Sequence, residues 1–114
     1  MKRIYLDNAA SSRLDDDVLK VMLPYFTEMY AIPSSQFSHQ DGIEVNDAIE
    51  DARDAVADYL NVKSSEIIFT SGETESNNLA IKGYARANAS KGKHLITATN
   101  EHRSVLNTFK VLEK

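Results

Sequence analysis

Apolar positions recur at helical spacing in four stretches of the chain. Val18, Met22, Leu23 and Phe26 form the first, preceded by Ser11, Ser12, Asp15 and Asp16 as candidate N-cap oxygens. Pro24 lies inside this pattern, so the helix kinks there or starts again. Val45, Ala48, Ile49, Ala52, Val56 and Leu60 form the clearest amphipathic helix, with Glu50, Asp51, Arg53 and Asp54 on its polar side and Asn61 as its stop. A third helix is predicted over residues 73–89, with Leu79, Ala80, Gly83, Tyr84 and Ala87 on one face. A fourth begins near Ser104 and carries Val105, Leu106, Phe109 and Leu112. Residues 31–42, with Pro33, Ser34, Ser35, Ser38, His39, Asp41 and Gly42, lack this periodicity and read as a loop.

Two short β-prone runs flank the third helix. Residues 66–70 lead into a turn at Ser71-Gly72, and residues 94–98 follow Gly92. The order strand, helix, strand predicts a βαβ unit of a parallel sheet with a right-handed crossover. Residues 4–7 are a short extended segment. The expected fold class is α/β. A parallel sheet needs both faces covered, and these few helices barely suffice, which hints at an incomplete domain.

Composition narrows the function. The 114 residues are 42% hydrophobic and 26% charged, ordinary for a globular chain. A net charge of -4 argues against a nucleic-acid partner or an anionic membrane surface. There is no cysteine, so a disulfide, a thiolate metal site or a cysteine nucleophile is excluded within these residues. No apolar stretch follows Met1-Lys2-Arg3 as a signal peptide requires, and a cytoplasmic location is expected.

The candidate chemistry sits at the carboxyl ends of the two predicted strands, where open α/β sheets bind ligands. At the turn 70–74, Gly72 permits close backbone approach, the helix N-terminus offers N–H groups to a phosphate, and Thr74 adds a hydroxyl. A helix cap explains the same residues, because Thr70-x-x-Glu73 fits the capping-box spacing. The Glu73 carboxylate opposes a phosphate unless it points away. His102 falls at the same sheet edge, where an imidazole can stack on a flat ring or move protons; a surface-loop histidine is the alternative. Asn8 has the character of a turn residue that could also bond a carboxylate. His39, His94 and His102 show no metal-ligand spacing, and no metal site is expected.

In combination these segments resemble the cysteine desulfurases. The resemblance rests on residues 5–10 (YLDNAA), 22–26 (MLPYF), 33–35 (PSS), 67–83 (IIFTSGETESNNLAIKG), Glu101-His102 and Val105-Leu106. It runs from about residue 4 to residue 112. It implies the aminotransferase class V group and the N-terminal portion of a fold-type I, pyridoxal 5'-phosphate-dependent transferase. Residues 1–30 would be an N-terminal arm and helix, and residues 31–114 the start of the cofactor-binding large domain, together a single incomplete domain. Such enzymes convert L-cysteine to L-alanine and an enzyme-bound persulfide, whose sulfur serves iron–sulfur cluster or thiocofactor synthesis. The resemblance assigns Gly72, Glu73 and Thr74 to the cofactor phosphate. It assigns His102 to ring stacking and catalytic proton transfer, and Asn8 and Ala9 to the substrate side. It implies a homodimer in the complete enzyme and a sulfur-acceptor protein as partner.

The chain departs from the family pattern in three places. Glu73 stands where the family usually has Ala. Ile32-Pro33 replaces Asn-Pro before the two serines, and the loop to Gly42 is slightly longer. The family's Schiff-base lysine, the aspartate at the pyridine nitrogen, the glutamine at the ring oxygen and the persulfide cysteine come later in a much longer chain. Neither Lys82 nor Lys93 lies in a Ser-x-His-Lys setting. The expected activity therefore belongs to an assembly with a C-terminal complement or a full-length relative, and the isolated chain is expected to be inactive. The competing reading is a non-catalytic interaction module or remnant that docks on a full-length relative. A third keeps the enzyme class but with selenocysteine or another amino acid as substrate.

Overall fold

A computed structural model describes residues 3–114; Met1 and Lys2, the start of the expected arm, lie outside the described residues. The backbone divides into two compact units, one running through Ile67 and one spanning Ile68–Lys114.

In the first unit, residues 4–7 carry neither helix nor strand. They lead into a turn in which the Ala10 and Ser11 N–H groups donate to Asp7 O at 3.1 and 3.3 Å. Helix α1, Asp16–Met22, is capped by Asp15, whose carboxylate accepts from the Asp17 and Val18 N–H groups at 2.8 and 3.4 Å. Its first turn is acidic and its last carries Lys20, both suited to the helix dipole. Pro24 then opens a separate short helix α2, Pro24–Thr27, because a proline at the first helical position loses no hydrogen bond.

A 3-10 turn, Pro33–Ser35, precedes helix α3, Gln40–Leu60. The helix therefore starts inside the segment 31–42 expected as loop. Its start is set by packing on that turn: a Cβ at Gly42 would lie 2.7 Å from the Ser35 carbonyl carbon and 2.9 Å from its oxygen. Only glycine permits this approach. Val45 and Ala57 are buried, whereas Val56 and Leu60 of the same expected face are exposed. Asn61 stops the helix in the left-handed conformation, φ 55°. The Val62 and Asn61 N–H groups donate to Ala57 O and Asp58 O, a Schellman pair.

Arg53 belongs to the expected polar side, yet it is half-buried, and its Nη1 donates to Ile67 O at 2.6 Å. Together with the Ser64 hydroxyl bonded to Asp54, it ties α3 to the 3-10 turn Ser64–Glu66.

The second unit holds α4, Glu73–Ala87, and α5, Arg103–Leu112, packed on one another. The half-buried positions of α4 are Asn77, Asn78, Ile81, Lys82 and Ala85, with Asn88 just past its end, while Leu79, Ala80, Gly83, Tyr84 and Ala87, the face read from the sequence, are exposed. On α5 the fully buried positions are Ser104 and Thr108, and the apolar Val105, Leu106, Phe109 and Leu112 are only half-buried.

The expected βαβ unit is not formed: no strand occurs among the described residues. Glu66 closes a 3-10 turn, and residues 67–70 and 94–98 carry no ladder. Ile67 keeps an extended backbone, φ -94°, ψ 126°. Strand character is a property of pairing rather than of an isolated β-prone run, and no ladder is formed on either run among the described residues. Ile68 is accordingly 65% exposed and Ile96 82%.

Candidate functional site

The predicted phosphate turn and His102 both belong to the second unit. Gly72 is the N-cap of α4, at φ 151°, ψ -171°. A Cβ there would meet nothing within 4 Å, so backbone conformation alone demands glycine. No side chain caps the first turn of α4. The first intrahelical bond is Ser76 N to Gly72 O at 3.1 Å, which leaves the N–H groups of residues 73–75 directed out of the helix end. Thr74 is exposed, and its hydroxyl has no hydrogen-bond partner among the described residues.

The expected capping box of Thr70 and Glu73 is replaced by a different closure. Glu75 reaches back, and its Oε2 accepts from both the Ser71 N–H and the Ser71 hydroxyl at 2.7 Å. These two bonds, the backbone one first, hold the Glu75 carboxyl below its ordinary value. Thr70 Oγ1 and Ser76 Oγ lie 2.6 Å apart across the same turn. The residue that closes the turn is thus Glu75, and the capping assignment of Glu73 is corrected.

Glu73 turns towards the start of α5 instead. Its Oε1 lies 3.0 Å from His102 Nδ1, accepts from Ser104 Oγ at 3.1 Å and from Asn77 Nδ2 at 3.3 Å. Asn77 Nδ2 also donates to Ser104 Oγ at 2.8 Å, and His102 Nδ1 is 2.9 Å from the same hydroxyl. Thr108 Oγ1 donates to Ser104 O at 2.7 Å beneath this cluster. His102 is also the N-cap of α5, and its Nδ1 lies 3.3 Å from Ser104 N. Its side chain is 63% exposed, so one edge of the ring is held and the rest is open.

Asn77, Ser104 and Glu75 escaped the sequence reading. The four-residue spacing of Glu73 and Asn77 was the available signal for one of them. Asn8 and Ala9 occupy the exposed turn of the first unit described above. A groove of ≈ 470 Å³ in the second unit is lined by His94, Leu95, Thr97, Leu106, Phe109 and Leu112 among others. It excludes residues 72–74 and His102. No group of three or more His, Cys, Asp or Glu among the described residues is placed to hold a metal ion. No helix among them is long and apolar enough to cross a membrane.

The site thus sets an uncapped helix start beside an imidazole with one edge held and the rest open. The chain belongs to the aminotransferase class-V family, which it matches over residues 4–114. Its relatives are cysteine desulfurases. It is 49% identical over 111 residues to cysteine desulfurase IscS of Neisseria meningitidis (serogroup A), covering 97% of this chain and 27% of that protein. It is 50% identical over 115 residues to IscS of Dictyoglomus turgidum, covering 100% and 29%. Among solved structures, a NifS-like protein superposes with a TM-score of 0.88 at 43% identity, covering 98% of this chain and 30% of that one. The chain thus spans less than a third of the length of these relatives.

Proposed function

We propose that this chain supplies the phosphate-anchoring and ring-stacking part of a pyridoxal 5'-phosphate-dependent cysteine desulfurase. The observation that carries the reading is the juxtaposition of the uncapped α4 N-terminus with His102, in a chain whose relatives are cysteine desulfurases. A phosphate fits the residues present. The free N–H groups of residues 73–75 and the unpartnered Thr74 hydroxyl are donors. The two carboxylates of the turn, which would repel an anion, are both engaged, Glu73 by His102, Ser104 and Asn77 and Glu75 by Ser71. Gly72, Glu73 and Thr74 hold the phosphate in this reading, His102 stacks on the ring and moves protons, and Asn8 and Ala9 line the substrate side. When bound, pyridoxal phosphate supplies an electron sink for bond-breaking at the amino acid.

The 114 residues contain no Ser-x-His-Lys lysine and no cysteine, so the reaction needs a complement that brings both. That complement is a C-terminal segment or a full-length relative. In the complete enzyme, residues 1–30 serve as the arm and residues 31–114 begin the large domain. Residues 67–70 and 94–98 become parallel strands once the rest of the sheet pairs with them. L-Cysteine as substrate, a homodimer, a sulfur-acceptor protein and a cytoplasmic location complete the reading.

The test is a pyridoxal phosphate titration of this chain assembled with a complement bearing the lysine. Thr74→Ala is expected to weaken cofactor binding about tenfold, the scale of one hydrogen bond to a charged group. His102→Ala is expected to weaken it as well. Titrations unchanged in both variants overturn the reading.

A further inference from the structure

Glu73 is the residue at which this chain leaves its family's usual alanine, and it does not remain idle. Its Oε1 is 3.0 Å from His102 Nδ1. A neutral imidazole has one N–H, and two arrangements compete for it. With the proton on Nε2, Nδ1 is an acceptor for the Ser104 N–H at 3.3 Å, but its lone pair then faces the Glu73 carboxylate. With the proton on Nδ1, the ring faces two acceptors nearer than the Ser104 N–H, the Ser104 hydroxyl at 2.9 Å and the charged Glu73 Oε1 at 3.0 Å.

The neighbours agree with the second arrangement. The Ser104 hydroxyl donates to Glu73 Oε1 at 3.1 Å and accepts from Asn77 Nδ2 at 2.8 Å, and only the Ser104 N–H, 3.3 Å from Nδ1, gives up its acceptor. Nε2 is left without a hydrogen-bond partner among the described residues.

We propose that Glu73 is a positioning residue that holds His102 as the Nδ1–H tautomer and thereby presents Nε2 as an unprotonated acceptor. Resting on the cofactor reading above, this makes Nε2 the atom of His102 that takes a proton from an amino-acid substrate, with Nδ1–H kept on Glu73. An alanine at residue 73 leaves Nδ1 free to accept the Ser104 N–H, which places the proton on Nε2.

The test is nitrogen-15 NMR of the imidazole in the full chain, free of cofactor, at a pH of about 8.5 or above, where an ordinary histidine is neutral. The native chain is expected to show Nδ1 protonated and Nε2 unprotonated, and Glu73→Ala is expected to exchange the two shifts. Ser104→Ala keeps the carboxylate and is expected to keep the native pattern. The same tautomer in native chain and Glu73→Ala overturns the proposal, as does an exchange produced by Ser104→Ala. Because the measurement uses no pyridoxal phosphate, a failed cofactor titration leaves it standing, and its own failure leaves the phosphate site standing.

Discussion

Asn77 Nδ2 donates to Ser104 Oγ at 2.8 Å, joining α4 to α5 through two polar side chains. Ser104 is buried to 8% exposure and Thr108 to 1%. At this point the contact depends on satisfied hydrogen bonds, and its weak point is an unpaired polar group.

Ser104→Ala removes the acceptor of Asn77 and the hydroxyl donor to Glu73 together. A loss of about 1–2 kcal/mol is expected, the scale of breaking buried hydrogen bonds one-sidedly. Asn77→Ala is expected to cost less, because its amide is only half-buried. In the double variant the losses should fall short of their sum, since both substitutions remove the same bond. Chemical denaturation of the four proteins measures this; strict additivity would show that the bond contributes nothing.

The Glu75 closure predicts a pH effect confined to the start of α4. Its folded value is lowered from 4.5 by the Ser71 bonds. The bonds therefore stabilise the turn at pH above that ordinary value, and the stabilisation is lost as pH falls through the lowered one. The Ser71 amide resonance should titrate with a midpoint below 4.5. Glu75→Gln should abolish the transition. A Ser71 amide that titrates at or above the ordinary value would contradict the closure.

Gly42→Ala tests the start of α3. The added methyl meets backbone atoms of Ser35 and Gln36, at 2.7 to 3.0 Å, and backbone cannot swing aside as a side chain would. Destabilisation of about 1–3 kcal/mol is expected, the usual scale of overpacking. Gly83→Ala is the control: its Cβ meets nothing within 4 Å, and alanine favours a helix interior, so stability should hold or rise. Urea midpoints of the two variants decide between crowding and a general intolerance of substitution.

Local features were legible from the sequence and non-local ones were not. Asp15, one of four cap candidates, Pro24 as the second helix start rather than a kink, and Asn61 as a stop each depend on neighbours within a few residues. The partner of the α4 apolar face was not legible, because periodicity identifies an apolar stripe but not what packs on it. Here α4 meets α5 through Asn77 and leaves Leu79 and Tyr84 exposed, the latter at 73%. The strands were not legible for the same reason, since a ladder needs long-range pairing, and no strand is formed at residues 67–70 or 94–98 among the described residues. That the 72–74 turn and His102 lie near one another could be read from the element order. The Glu73 carboxylate could not, because its partners His102 and Ser104 lie 29 and 31 residues further along.

The uncovered apolar surface yields the last prediction. Val45 and Ala57 are the only buried hydrophobic residues among those described, while Ile4, Leu6, Phe37, Ile68, Phe69 and Ile96 are exposed. Burial of such side chains contributes about 1.5–3 kcal/mol each, so a polypeptide that covers them gains far more than the polar contacts inside this chain supply. The isolated chain should bind an apolar dye strongly or self-associate, and it should release no sulfide from cysteine. Adding a complement with the Schiff-base lysine and the cysteine should suppress dye binding and restore both strands, visible as new slowly exchanging amides at residues 67–70 and 94–98. Isotope-edited NMR of the labelled chain, with and without unlabelled complement, follows these changes directly. A dye-silent monomer that unfolds cooperatively and gains no protected amides on mixing would mean that the chain completes its fold without a partner.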